Sequence, residues 1–241
     1  MGRAGFSSRH VMAQVSKRPP ARTNLLTDLP DRLSAALLAG AAQRHLAAGE
    51  VLFLAGDPGN GFYRVESGLL KISIASASGS ERILAILGPG SIVGDLAIID
   101  GRPRSASVSA LRDCTVQFVS RNAFDTFAAK NPEIYHYLAK VLAARLRGTD
   151  EIVAAGSFLP LKGRVAVALL ELAEGFGQNV GGKRVVIRQK VSQSDLAAMA
   201  GIARENVSRI MNDWIREKTI TRLSGYYCLE DPAKLEHESE I

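Results

Sequence analysis

Residues 94–108 run Gly94-Asp95-Leu96-Ala97-Ile98-Ile99-Asp100-Gly101-Arg102-Pro103-Arg104-Ser105-Ala106-Ser107-Val108. An acid stands beside a glycine at one end and an arginine beside a serine at the other, with a short apolar turn between. A cyclic phosphodiester bears one negative charge and neighbours a ribose hydroxyl, so a site for it needs one cation, several donors and one acceptor. Arg104 supplies a forked, charge-assisted contact to a phosphate. Ser105 and nearby backbone N–H groups complete the cradle. Asp95 can accept a hydrogen bond from a ribose 2′-hydroxyl, and Gly94 lets the backbone come close. The same residues are also good turn chemistry, because Asp-Gly-x-Pro with a surface Arg–Asp pair needs no ligand at all.

Outward from this stretch, the chain from Leu29 to about Phe118 is a series of short apolar runs punctuated by glycine, such as VLFLAG, FYRVESG, ILAILGPG and CTVQFV. That texture predicts an antiparallel β barrel or sandwich, with a hairpin tip at Ser76–Ser80. Residues 1–28 are basic, polar and without periodicity, and read as a mobile tail. Asn131-Pro132 opens a long helical stretch to about residue 157, with Pro near its first turn. Leu138, Leu142, Arg145, Thr149, Ile152 and Gly156 recur at spacings of four and three, the seam of a two-helix coil with a polar gap at Thr149. Pattern alone leaves open whether this helix lies on its own domain or pairs with its twin. GSFLP, residues 156–160, then reads as a hinge.

Residues 158–241 follow the order of a winged helix-turn-helix: a helix over GRVAVALLELAEGFG, a strand in KRVVIRQ, two helices over SQSDLAAMAG and ARENVSRIMNDWIREK, and a ribbon in ITRLSGYYCLED. Ser192 followed by Asp195 fits a capping box, and Gly201 supplies the turn. In the second helix Val207, Ile210, Met211, Trp214 and Ile215 form one apolar face, while Arg204, Glu205, Ser208 and Arg209 fall on another. Arginine can pair with guanine O6 and N7, and glutamate can accept from the cytosine amino group. An exposed helix with ordinary salt bridges would carry the same charges, but not the apolar face behind them.

The chain has 241 residues and a net charge of +6, with a pI near 9.5. Residues 160–227 carry eleven Lys and Arg against six acids, and residues 1–28 five against one. A nucleic-acid partner fits such basic segments. Four histidines and two cysteines lie far apart, which argues against a metal site or a disulfide scaffold. No apolar run approaches the ~18–20 residues of a membrane span, and the first residues lack a signal peptide's apolar middle, so a cytoplasmic protein without a membrane partner is expected.

The order of glycine-rich β-roll, GDLAIIDGRPRSASV, long helix and QSDLAAMAGIARENVSRIM resembles the cyclic-AMP receptor protein / fumarate-nitrate reduction regulator (CRP/FNR) family of bacterial transcription factors. The resemblance spans roughly Leu29 to Leu229. It implies an α+β chain: a cyclic-nucleotide-binding β-roll (jelly roll) over 29–130, a dimerisation helix over 131–157 and a winged helix-turn-helix domain over 158–241. The family's phosphate-binding cassette matches Gly94, Asp95, Leu96, Ala97, Pro103, Arg104, Ser105 and Ala106. By the same resemblance Thr149 is a base contact from the dimer helix, and Arg204, Glu205 and Arg209 read a TGTGA-like half-site. Cyclic AMP or cyclic GMP is the implied effector, double-stranded DNA and a second copy of the chain are the implied partners, and RNA polymerase contact is implied as well.

Three departures from the family's pattern matter. Asp95 replaces the usual glutamate and is one methylene shorter. Asp150 stands where a second base contact is commonly Ser or Asn; a carboxylate could take the adenine amino group or pair with guanine N1–H and N2–H together, so both nucleotides stay open. Ala203 precedes Arg204 where Ser or Thr is common, which costs the recognition helix its side-chain cap, about 1 kcal/mol. Two rival readings are a phosphodiesterase, which would need a metal or a clustered general base, and a regulator whose cassette is idle and whose DNA binding is constitutive.

Overall fold

The computed structural model describes residues 29–240, so the expected basic tail lies outside the described residues. A short helix α1 (Asp31–Leu38) leads into eight strands: β1 (Ala42–Leu46), β2 (Val51–Phe53), β3 (Gly61–Ser67), β4 (Leu70–Ala75), β5 (Glu81–Leu87), β6 (Ile92–Val93), and, after helix α2 (Leu96–Asp100), β7 (Ser107–Ala110) and β8 (Cys114–Ser120). They form two antiparallel sheets in the orders β1-β8-β3-β6 and β2-β7-β4-β5, the interleaved topology of a jelly roll. The roll is filled by residues such as Leu46, Val65, Leu70, Val108 and Val116. Each fully buried side chain there contributes roughly 1.5–3 kcal/mol. Ser76 and Ser80 close the β4–β5 hairpin as expected, with the Ser76 N–H donating to the Ser80 carbonyl.

Helices α3 (Arg121–Lys130) and α4 (Ile134–Phe158) follow the roll. Leu33 and Leu37 of α1, Phe124 and Phe127 of α3, and Ile134, Leu138 and Val141 of α4 pack against Phe62, Ile98 and Val119 as a second apolar layer. Three features depart from the sequence reading here. Residues 31–38 are helical, the end of the span assigned to the β-roll is the helix α3, and the stretch after Asp95 is a five-residue helix rather than a simple turn. Gly156 does not break α4; the helix continues to Phe158, and Pro160, which has no N–H to offer a helix interior, starts the next one.

The carboxy-terminal unit comprises α5 (Leu161–Phe176), β9 (Gly177–Asn179), β10 (Val185–Ile187), α6 (Gln193–Ala200), α7 (Arg204–Arg216), β11 (Ile220–Leu223), β12 (Tyr226–Leu229) and α8 (Pro232–Glu238). Its sheet runs β11-β12-β10-β9, and its core gathers Leu169, Leu172, Leu196, Val207, Met211 and Trp214. This is a winged helix-turn-helix. The expected apolar face of α7 is buried at Val207, Ile210, Met211 and Trp214, but Ile215 is exposed, one step past the packed stripe.

The two units touch through β5. Ile86 packs against the winged-helix core. The Arg82 guanidinium lies against Gly201, the turn between α6 and α7: a β-carbon at Gly201 would overlap Arg82 Nη1 and stand 2.7 Å from its Cζ. Arg82, Ile152, Arg164, Glu171 and Met199 line the crevice around this contact.

Candidate cyclic-nucleotide cassette and DNA reader

The cassette lies between β6 and β7 and is built around a left-handed glycine. Gly94 has φ +83°, and a β-carbon there would overlap Nη1 of Arg104 and stand 3.1 Å from its Cζ. With no side chain in the way, Arg104 folds back over the loop and its Nη1 donates to the Gly94 carbonyl at 2.7 Å. Arg104 is 5% exposed, and its guanidinium carbon lies 4.3 Å from the centre of the Phe53 ring. Burial lowers its pKa from the ordinary arginine value, opposed by the charges of Tyr63, Asp57 and Asp95. An arginine this far inside normally satisfies all its donors, yet Nε has no hydrogen-bond partner.

Asp95 is 4% exposed at the start of α2. Arg145 reaches it from α4: Nη1 lies 2.9 Å from both carboxylate oxygens and hydrogen-bonds to Oδ1. Oδ2 receives only this ionic contact and no hydrogen bond. Arg145 Nη2 also donates to the Ile92 carbonyl at 3.4 Å. At the other end of α2, Arg121 donates to the carbonyls of Ala97 and Ile98, the latter at 3.0 Å, capping the helix with a cation. Leu96 and Ser105 are exposed beside the buried pair.

The structure therefore brings Gly94, Asp95, Leu96, Arg104 and Ser105 together as one cluster. Thr149 and Asp150 are exposed on α4, one turn past Arg145, and the Thr149 hydroxyl donates to the Arg145 carbonyl at 3.0 Å. The sequence reading missed Arg145, Arg121 and the Phe53 platform. A cation in a largely apolar helical seam is the available signal for Arg145; the spacing makes it a seam position, and its partner lies fifty residues away in the sequence.

The reader is equally explicit. Ser192 accepts from the Asp195 N–H at 3.0 Å while Asp195 accepts from the Ser192 N–H at 3.1 Å, so the capping box forms as the spacing predicts. Gly201 closes α6 with φ +65°. Ala203 offers α7 no side-chain cap. Arg204, Glu205 and Arg209 are exposed on α7 and Ser208 is half-buried beside them; the Arg209 Nη2 donates to Asn206 Oδ1 at 2.8 Å. Among the described residues no group of three or more His, Cys, Asp or Glu is placed to hold a metal, and no helix is long and apolar enough to cross a membrane.

Residues 43–131 match the cyclic nucleotide-binding domain family, and residues 163–238 the Crp-like helix-turn-helix domain. A CRP-like cAMP-activated global transcriptional regulator of Mycobacterium tuberculosis is 35% identical over 173 residues, 70% of this chain and 77% of that protein. The chain is a member of the CRP/FNR family. The cyclic AMP receptor protein of Thermus thermophilus is 33% identical over 189 residues, covering 78% of this chain and 83% of that one. In solved structures the fold matches FixK2 of Bradyrhizobium japonicum with a TM-score of 0.74 at 19% identity, over 83% of this chain and 98% of that one. It matches the T. thermophilus catabolite activator protein with a TM-score of 0.51 at 31% identity, over 89% and 97%. As a CRP/FNR-family protein the chain is a DNA-binding regulator with a cyclic-nucleotide-binding domain, and the M. tuberculosis relative is a transcriptional regulator.

Proposed function

We propose that this CRP/FNR-family protein is a cytoplasmic homodimer that binds cyclic AMP in the cassette and palindromic TGTGA-like operators through α7. One observation carries the effector reading: the cassette holds a buried donor without an acceptor, Arg104 Nε, beside a buried carboxylate, Asp95, whose Oδ2 accepts no hydrogen bond and meets only the ionic contact of Arg145. A buried donor left unmatched costs about 1–3 kcal/mol. A phosphate brings an acceptor and a ribose hydroxyl brings a donor, and a cyclic nucleotide carries both. Gly94 keeps the space open, Arg104 and Ser105 would hold the phosphate, and Asp95, oriented by Arg145, would take the ribose. The M. tuberculosis and T. thermophilus relatives, described as cAMP-activated and as a cyclic AMP receptor, support the same choice.

The dimer reading rests on α4. The expected seam splits into two rows. Leu138 is buried in its own domain, Arg145 is drawn to Asp95, and Ile152 lines the crevice to the reader. The row that faces outward is Leu142, Leu146, Thr149 and Val153, with Leu146 64% and Val153 61% exposed. An apolar stripe of this length on a 25-residue helix is a surface for a second copy. The Thr149 hydroxyl and the Asp150 carboxylate lie on or beside it, so a nucleotide base reaching α4 would meet the dimer seam and bias the arrangement of the two readers.

Asp150 favours a second effector reading, cyclic GMP, since a carboxylate can pair with guanine N1–H and N2–H. Calorimetric titration with cyclic AMP and cyclic GMP, alongside the Asp150→Ser variant, tests both. Micromolar binding of cyclic AMP is the expected result. A preference for cyclic GMP that Asp150→Ser reverses would install the second reading, and no heat with either would leave DNA binding independent of nucleotide.

A further inference from the structure

We infer that Phe53 is a positioning residue for Arg104: its ring fixes the plane of the guanidinium that receives the phosphate. This rests on the reading of the cassette as a cyclic-nucleotide site. The argument begins with the backbone. In the pairing of β2 with β7, Val51 faces Ser109 and Phe53 faces Val108, a bulge that places two residues of β2 against one step of its partner. Bulges re-aim side chains at the rims of sheets. The turn after β2 is then tied to the cassette at three points. Gly56 N–H donates to the Arg104 carbonyl at 2.8 Å, Arg104 N–H to the Asp57 carbonyl at 2.9 Å, and Ala55 N–H to Ser107 Oγ at 3.0 Å. Phe53 and Arg104 are thus held in a fixed relation by main chain, independent of their side chains.

Phe53 is itself backed by aromatic rings. It stacks on Tyr63 at 6.0 Å and 29°, and Tyr63 lies 4.9 Å from Phe118. The Arg104 guanidinium carbon sits 4.3 Å over Phe53 and 6.0 Å from the centre of Tyr63. One face of the cation is covered by a ring, and one Nη is spent on the Gly94 carbonyl. A guanidinium so placed has little rotational freedom left. Its remaining donors, among them the unpartnered Nε, are pre-organised, and an anion does not have to immobilise them on binding.

The test compares cyclic AMP and cyclic GMP affinity in wild-type protein, Phe53→Leu, Phe53→Tyr, Arg104→Lys and the Phe53→Leu/Arg104→Lys double variant, with melting temperatures recorded for each. Phe53→Leu should weaken binding about two- to thirty-fold, the range of a cation–π contact, and Phe53→Tyr should restore it. In the Arg104→Lys background, where the guanidinium over the ring is lost, Phe53→Leu should have little further effect. Wild-type affinity in Phe53→Leu, or the same loss in both backgrounds, would overturn the role of Phe53 while leaving the nucleotide reading intact. Wild-type protein that binds neither nucleotide would overturn the nucleotide reading, and with it this role.

Discussion

Arg145 of α4 and Asp95 of the cassette form an ion pair, with Nη1 2.9 Å from both carboxylate oxygens. One partner is almost fully buried and the other is about one-third exposed. The pair joins the nucleotide cassette to the helix that carries the outward apolar stripe. Replacing Arg145 with Gln leaves a buried carboxylate without its cation. Loss of one partner of a fully buried pair costs about 3–5 kcal/mol, and solvent access at Arg145 reduces the expected loss to roughly 1–3 kcal/mol. Thermal denaturation should show Asp95→Asn/Arg145→Gln to be more stable than Arg145→Gln alone. Equal stability of the two would mean that the carboxylate is not strained by the missing cation.

Gly94→Ala should damage the cassette more than its size suggests. The substitution meets a positive φ and the Arg104 guanidinium together, so the arginine must move. We expect a stability loss of roughly 1–3 kcal/mol, and at least a tenfold loss of cyclic AMP affinity by calorimetry. Retention of wild-type affinity would show that Arg104 does not need its bond to the Gly94 carbonyl.

The stripe on α4 yields a hydrodynamic prediction. Leu146→Lys with Val153→Lys places two cations on the proposed seam, and sedimentation should then report a monomer at concentrations where the wild type is a dimer. Both side chains are mostly exposed within the chain, so the subunit fold should be unaffected. A dimer that survives both changes would place the interface elsewhere.

Arg204→Ala and Arg209→Ala should each weaken binding to a TGTGA-like operator by about 1–3 kcal/mol and relax the preference at one base pair. Competition with single-base operator variants, read by fluorescence anisotropy at fixed salt, distinguishes this from a phosphate contact. A phosphate contact would weaken all sequences alike.

Both cysteines are buried, and burial raises the pKa of each thiol. A raised value means less thiolate at any pH below it, so the native protein should react slowly with Ellman's reagent even at pH 8. Two thiols should appear on unfolding. Rapid reaction of the native chain would indicate that β8 or β12 opens readily.

What the sequence disclosed, and what it concealed, divides by the range of the interaction. The Ser192–Asp195 capping box, the Gly201 turn and the Val207–Trp214 face were readable because each is decided within one or two helical turns. The cassette residues were readable because they are contiguous. Arg145 was not, because its role is set by a carboxylate on a different element. The same holds for Phe53, whose aim depends on a bulge in β2 that nothing in VLFLAG announces. Residues 31–38 read as sheet from their surroundings, yet Leu33 and Leu37 at helical spacing fold them against α3. Of the positions that the α4 spacing groups as one seam, Leu138 is buried in its own domain and Arg145 is drawn to Asp95, contacts set by other elements that the spacing does not disclose.

The contact between Arg82 and Gly201 gives the orientation of the reader the mechanics of a door catch. The guanidinium rests on the bare backbone of the turn just ahead of α7, and Ile86 packs against the reader's core. Any tilt of the reader must lift both at the outset, so resistance is concentrated in the first small displacement and does not grow with angle as it would in a spring. Packed surfaces of this kind exchange between discrete seatings. A reader held in this way would be either latched or released, with little population between.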